Sequence, residues 1–267
     1  MHDVRPAAVA GMFYPEAPAR LAAEVRSYLA HAAVGDGPPP KAVIVPHAGY
    51  VYSAPVAAAA YARLAALRGT VTRVVLLGPT HRVPVTGLAV PETRAFATPL
   101  GDVAIDAEGI ALARTLPQVV TSEPAHALEH SLEVQLPFLQ SVLGTFVLVP
   151  FAVGRASPQD VAAVIDLMWG GPETLIVVSS DLSHYHPYAD ARRIDRHTAD
   201  AILALTSDLD HEQACGATPI NGLVLCARRR GLRPALLDLR NSGDTAGDRS
   251  RVVGYASFAF TDDAPRH

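Results

Sequence analysis

The feature that most constrains this chain is a set of short runs that are apolar almost without interruption: AVIV at 42–45, RVVLLG at 73–78, TFVLVPF at 145–151 and TLIVVSS at 174–180. A strand with one wet face alternates apolar and polar residues, whereas a strand covered on both faces reads apolar throughout. These runs, rich in Val, Ile and Leu, therefore predict a central sheet sandwiched between helices. Two later runs, ALLDL at 235–239 and VVGYASFAF at 252–260, extend the set.

Helical patterns fall between the strands. Leu21, Val25 and Leu29 recur at i, i+4 and i+8 and give one apolar face. Ser157-Pro158 with Asp160 reads as a helix start, with Val161, Ile165 and Met168 buried and Gly170-Gly171 as the stop. Thr218-Pro219 starts another in the same way, carrying Ile220, Leu223, Val224 and Ala227, with Gly231 at its C′ position. A third run, from Ala189 to Leu205, puts Ile194, Ala201 and Leu205 on one stripe. The one breaker cluster, GDGPPP at 35–40, is too short for a domain linker. The expectation is a single α/β domain over residues 1–267, with a mostly parallel or mixed sheet flanked by helices on both faces.

The formal net charge of −4 lacks the basic excess of a nucleic-acid footprint, so no nucleic-acid partner is expected. Two cysteines, Cys215 and Cys226, are too few for a stapled secreted scaffold. No basic stretch followed by a long apolar one opens the sequence, and the alanine-rich stretch at 57–60 soon meets Arg63. A cytoplasmic protein without a membrane partner is the expectation.

In open α/β sheets, ligands bind where strands end and loops carry side chains over the sheet edge. The first strand runs into Pro46-His47-Ala48-Gly49-Tyr50, the second into Pro79-Thr80-His81, and TLIVVSS into Asp181-Leu182-Ser183-His184-Tyr185. A fourth polar motif, Glu129-His130-Ser131-Leu132-Glu133, opens a helix after a loop. Two histidines placed alike after two core strands, with an Asp-x-x-His after a third, suit Fe, Zn or Cu. Cys215, in a loop just before Gly216, is the candidate third ligand, with a small buried hydrophobe as its other reading. Cys226, inside a helix beside Leu223 and Ala227, reads as core. His126 and His186 flank the stronger motifs, and His2, His31, His197, His211 and His267 read as terminal or solvated. Ser179-Ser180-Asp181 lacks the glycines of a nucleophile elbow, and the glycines at 243 and 247 follow no phosphate-loop pattern.

Arg5-Pro6 with Val9-Ala10-Gly11-x-Phe13-Tyr14-Pro15, then PHAGY, GPTH, EHSLEVQLPFL, SSDLSHY, CGATPI and NSGDTAGD…VVGYASF, resembles the Memo family over about residues 5–260. Prokaryotic members are often called AmmeMemoRadiSam system protein B. The resemblance implies a fold similar to class III extradiol dioxygenases, non-haem Fe(II) enzymes that cleave catechol rings. It implies His47 and His81 as metal ligands, His184 as the acid-base histidine, His130 as a second cleft histidine and Asp181 beside them. Where those dioxygenases use a glutamate, the family presents Cys215, a softer ligand that shifts preference towards copper, zinc or an electron-rich iron. Fe(II) is the favoured ion, with Cu or Zn as alternatives. Leu239 stands where many relatives carry an aromatic residue. The implied function is a metal-dependent dioxygenase or other oxidoreductase acting on a small substrate, with aromatic compounds as the first candidates. The alternative is a peptide or small-molecule binding module, or a metal-handling protein, using the same cleft. The family name reflects genes that occur together, which implies a radical-SAM protein and AmmeMemoRadiSam system protein A as functional partners.

Overall fold

The computed structural model describes residues 3–33, 35 and 37–262; Asp36 of the breaker cluster, and the terminal His2 and His267, lie outside them. The apolar runs become neighbouring strands of one sheet. In chain order its members are β1 (Ala42–Val45), β2 (Arg73–Pro79), β3 (Leu88–Val90), β4 (Val119–Thr121), β5 (Val147–Val153), β6 (Thr174–Ser179), β7 (His184–His186), β8 (Arg233–Asn241) and β9 (Val252–Thr261). The spatial order is β7-β9-β1-β6-β2-β5-β3-β4, with β8 also paired to β9. β1, β6, β2 and β5 run parallel in the middle, while β9 joins β1 antiparallel and β3 joins β5 antiparallel. The sheet is therefore mixed, with a parallel centre.

Alternation along each strand divides the core in two. Val43, Val45, Val74, Leu76, Leu175 and Val177 face one cluster, where Leu21, Tyr61 and Phe138 meet them. Their neighbours Ile44, Val75, Leu77, Ile176 and Val178 face the other, against Val161, Ile165, Leu223 and Val224. The helices on the first face are α1 (Pro18–His31), α2 (Tyr50–Arg63) and α3 (Leu136–Leu143). On the second are α4 (Pro158–Leu167), α5 (Tyr188–Leu203) and α6 (Ala217–Arg230). Each central strand buries both of its faces, which is why these runs carry no polar alternation.

The cap signals hold for α4, where Ser157 and Asp160 form a reciprocal capping box. Gly231 ends α6 in the left-handed region, at φ 68°. Two helix expectations need correction. α6 begins at Ala217 with Gly216 as N-cap, so Thr218 lies inside the first turn. The earlier start follows from tertiary contact: the Gly216 N–H donates to Ser180 Oγ at 2.9 Å, and a Cβ on Gly216 would come within 2.6 Å of Ser180 Cβ. On α5 the buried stripe is Ala191, Asp195, Thr198, Ala199 and Ile202, rotated away from Ile194, Ala201 and Leu205. Small and polar residues fill it because the helix packs close to β8 and β9. No helix among the described residues is long and apolar enough to cross a membrane.

Candidate metal centre

The parallel strands β1, β2 and β6 deliver His47, His81 and Asp181 to one edge of the sheet, each just past its strand's carboxyl end. His130 arrives from the short helix His130–Glu133. One ring nitrogen from each of His47, His81 and His130 lies within 4.8 Å of the other two, a geometry that can hold a metal ion. The ring centroids of His81 and His130 are 4.5 Å apart, and those of His47 and His81 are 5.2 Å apart.

The hydrogen-bond network decides which nitrogen of each ring faces inward. Ser179 Oγ gives its single proton to the Ser131 carbonyl at 2.6 Å and accepts from Gln135 Nε2 at 2.8 Å. Towards His47 Nδ1, 2.9 Å away, it can only accept, so Nδ1 carries the proton and Nε2 keeps its lone pair. His81 Nδ1 lies 2.8 Å from Glu129 Oε1, and His130 Nδ1 lies 3.4 Å from the same oxygen. A carboxylate only accepts, so His81 turns Nδ1–H towards it and leaves Nε2 for a ligand, while the His130 ring stands beside the same oxygen without a hydrogen bond to it. Burial, aided by the neighbouring histidines, holds His47 well below the ordinary imidazole range. Burial also pushes His130 down to about 4, against the pull of Glu129.

Glu129 joins these elements. Its Oε2 accepts from the His81 N–H at 2.7 Å, and its Oε1 also accepts from the Ser131 N–H at 2.9 Å. Burial opposes its charge, yet the bonds from His81 and Ser131 outweigh burial and hold its carboxyl at about 2. Ser131 Oγ donates to the Pro79 carbonyl, and Gln135 Nε2 donates to the Pro46 carbonyl, both at 2.9 Å. A Cβ on Gly78 would sit 2.8 Å from Ser131 Oγ, so the strand before Pro79-Thr80-His81 needs its glycine. Sequence reasoning missed the positioning roles of Glu129, Ser131, Gln135 and Ser179. The available signal was polar residues in EHSLEVQ interleaved with Leu132 and Val134, in a segment buried apart from the half-buried His130.

Cys215, expected as the third ligand, lies beside His47 and outside the group of three histidines whose ring nitrogens are mutually close. Its Sγ lies 3.4 Å from His47 Nε2 and 3.7 Å from the Asp181 carbonyl oxygen, and it is half-buried. Burial and the nearby Asp181 push its thiol up to about 12. Cys226 is fully buried in the second core cluster, its Sγ 3.4 Å from the Ala162 carbonyl. Asp181 is buried, and its Oδ1 accepts from the His47 backbone N–H at 2.7 Å. Burial pushes its carboxyl up to about 7, against the bonds from His47 and Ala48. His184, half-buried on β7, is close enough to disfavour protonation of His47, and its own pKa is lowered by burial. Phe13 packs on His130 with centroids 4.9 Å apart.

A cleft of about 380 Å³ opens beside Cys215, its lining including Pro79, Thr80, Val153, His211 and Thr218. His211, expected to be solvated, is indeed exposed and lies at this cleft. His126 is fully buried with Nε2 on the Ala89 carbonyl at 2.9 Å, outside the cluster. Leu239 lines a different cavity of about 470 Å³, with Arg196 and Asn241, and not the cleft at Cys215.

Residues 5–259 match the family model described as Memo-like protein. A MEMO1 family protein of Sulfolobus acidocaldarius is 36% identical over 285 residues, covering 97% of this chain and 100% of the relative. One from Methanopyrus kandleri is 36% identical over 280 residues, covering 96% and 98%. One from Methanothermobacter thermautotrophicus is 36% identical over 278 residues, covering 96% and 100%. Among solved structures, an uncharacterized Escherichia coli K12 protein overlays with a TM-score of 0.49 at 13% identity, covering 81% of this chain and 98% of that one.

Proposed function

Because this chain belongs to the Memo-like family, we propose that it binds one transition-metal ion through His47, His81 and Cys215 and performs redox chemistry on a small molecule. The observation that carries this reading is the convergence of imidazoles whose Nδ1 atoms are tied down, with a thiol against the Nε2 of one of them. Two ligands on one tetrahedral ion, a nitrogen at about 2.0 Å and a sulfur at about 2.3 Å, stand roughly 3.5 Å apart. The 3.4 Å between Cys215 Sγ and His47 Nε2 fits that edge, whereas the ring nitrogens that already lie within 4.8 Å of one another are those of His47, His81 and His130, so holding an ion with Cys215 would draw its sulfur closer to His81. His130, whose ring nitrogen lies in the same group, would be left to bind substrate beside the ion.

Fe(II) is the favoured ion and copper the alternative, either of which would supply electron transfer and open positions for oxygen and substrate. The protein's own groups divide the remaining work. Cys215 releases its proton on becoming a ligand, so metal uptake is coupled to proton loss. His184, kept neutral by burial, takes a proton from the bound substrate. His130 would contact the substrate from within the ring cluster. Asp181 acts through the His47-Ala48 backbone, fixing the turn that aims His47. Phe13 shields His130 from water.

The test is paired: metal stoichiometry and oxygen uptake, with catechols and other small aromatics as first substrates. His81→Ala should lose both. His184→Ala should keep its metal and lose turnover. Metal loss in the His184 variant would move that residue into the ligand set. No oxygen uptake by the wild type, with iron or with copper, would turn the reading to a binding module.

A further inference from the structure

We propose that the cleft reaching Cys215 takes a small organic anion, its apolar body along the cleft wall and its anionic head on the Arg155 guanidinium. The inference rests on the reading of Cys215 as part of the functional site and names the ligand class of that site. The cleft's volume, about 380 Å³, suits a small-molecule ligand. Pro79, Pro84, Val85 and Val153 supply the apolar part of its wall, Thr80, His211 and Thr218 line it too, and no aspartate or glutamate does. Arg155 is the one lysine or arginine in the lining. Its side chain is exposed and makes no hydrogen bond or ion pair among the described residues.

The arginine is mounted on rigid backbone. Its N–H donates to the Val85 carbonyl at 2.8 Å, and its carbonyl accepts from Gly87 at 2.9 Å. A Cβ on the preceding Gly154 would fall 2.2 Å from the Val85 oxygen, so the two chains pass too closely for any side chain there. An unneutralised guanidinium beside apolar wall favours an anion over a neutral or cationic ligand, and its planar fork suits carboxylate or phosphate. The chain as a whole carries a formal charge of −4, so this local preference runs against the protein's overall field. The lining connects Arg155 to Cys215, so a ligand anchored at its anionic end directs its other end to the sulfur and, past it, to His47.

The experiment needs no metal. Alkylation of Cys215 by iodoacetamide is followed by peptide mass spectrometry on the metal-free protein, with benzoate, phenyl phosphate or benzyl alcohol as protectant. In each alkylation the sulfur displaces iodide from carbon and the thiol proton passes to buffer. Benzoate or phenyl phosphate should protect at concentrations roughly tenfold below benzyl alcohol, the scale of one charge-assisted hydrogen bond. Whichever of the two protects better identifies the head as carboxylate or phosphate. Arg155→Gln should abolish the preference, whereas Arg26→Gln, an exposed arginine on α1, should keep it. Equal protection by charged and neutral compounds would overturn the assignment. So would a preference that survives Arg155→Gln, a preference lost in both variants, or no alkylation of Cys215 at all. A chain that shows charge-selective protection but takes up no metal would sink the metal reading alone.

Discussion

Replacing Glu129 by Gln removes one charge and keeps the number of heavy atoms, yet the geometry makes it costly. The carboxylate, 2% exposed, faces donors on both oxygens: the His81 N–H on Oε2, and His81 Nδ1 and the Ser131 N–H on Oε1. A Gln amide must turn its own N–H groups towards one side. If they face the His81 backbone, a buried N–H loses its acceptor, and the penalty is about 2–3 kcal/mol. If they face the imidazole, His81 can answer only by moving its proton to Nε2, which removes the lone pair a metal needs. The account therefore predicts that Glu129→Gln lowers metal affinity by roughly 10–100-fold, the scale for a residue that orients a ligand. It also predicts a fall in Tm of the metal-free protein of roughly 5–10 °C for a chain of this size. Chelator competition measures the first, a thermal melt the second, and nitrogen NMR of the imidazoles reads the His81 tautomer directly. A variant that melts like the wild type, binds metal within about twofold and keeps its proton on Nδ1 would refute the positioning role.

Further predictions follow from the same contacts. Cys215→Ser should weaken binding of thiophilic ions by far more than Cys226→Ser, which should instead show a modest loss of stability; equal metal losses in a paired titration would count against Cys215 as a ligand. Glu133 accepts from Arg5, from the Ala8 and Val9 backbone and from Tyr14, all buried or nearly so. Glu133→Ala strands the Arg5 charge and should cost about 3–5 kcal/mol in a denaturant melt, and an unchanged midpoint would contradict that. Asp195 is pushed from 3.8 up to about 6 by burial, so its ionisation costs stability as pH rises through that window. Asp195→Asn, which can still accept from the Ser183 N–H, should raise stability above pH ~6 by up to roughly 3 kcal/mol, with the gain gone near pH ~4. A gain that persists undiminished at the lower pH would show that charge is not its cause.

The sheet was legible because burial on both faces leaves a local mark: β1, β2, β5 and β6 each carry an apolar run. The α4 capping box was legible for the same reason, since both of its partners lie within one turn. The start of α6 was not, because the contact that fixes it comes from Ser180, across the sheet edge. The nearness of His47 and His81 followed from strand ends that share a sheet edge. What no local pattern could supply was the order of bonds behind them. Ser179 looked like the tail of a strand and Gln135 was one more residue of the EHSLEVQLPFL stretch, yet together they set the proton on His47. The convergence of His130 on the two strand-end histidines came from a loop whose length says nothing about where it points.

The central claim is that one ion sits between His47, His81 and Cys215. X-ray absorption on protein loaded anaerobically with Fe(II), and separately with copper, tests it most directly. The account predicts one sulfur at about 2.3 Å together with imidazole nitrogens at about 2.0–2.1 Å, the sulfur vanishing in Cys215→Ser. A first shell of nitrogen and oxygen alone in the wild type, or a sulfur that survives Cys215→Ser, would contradict it.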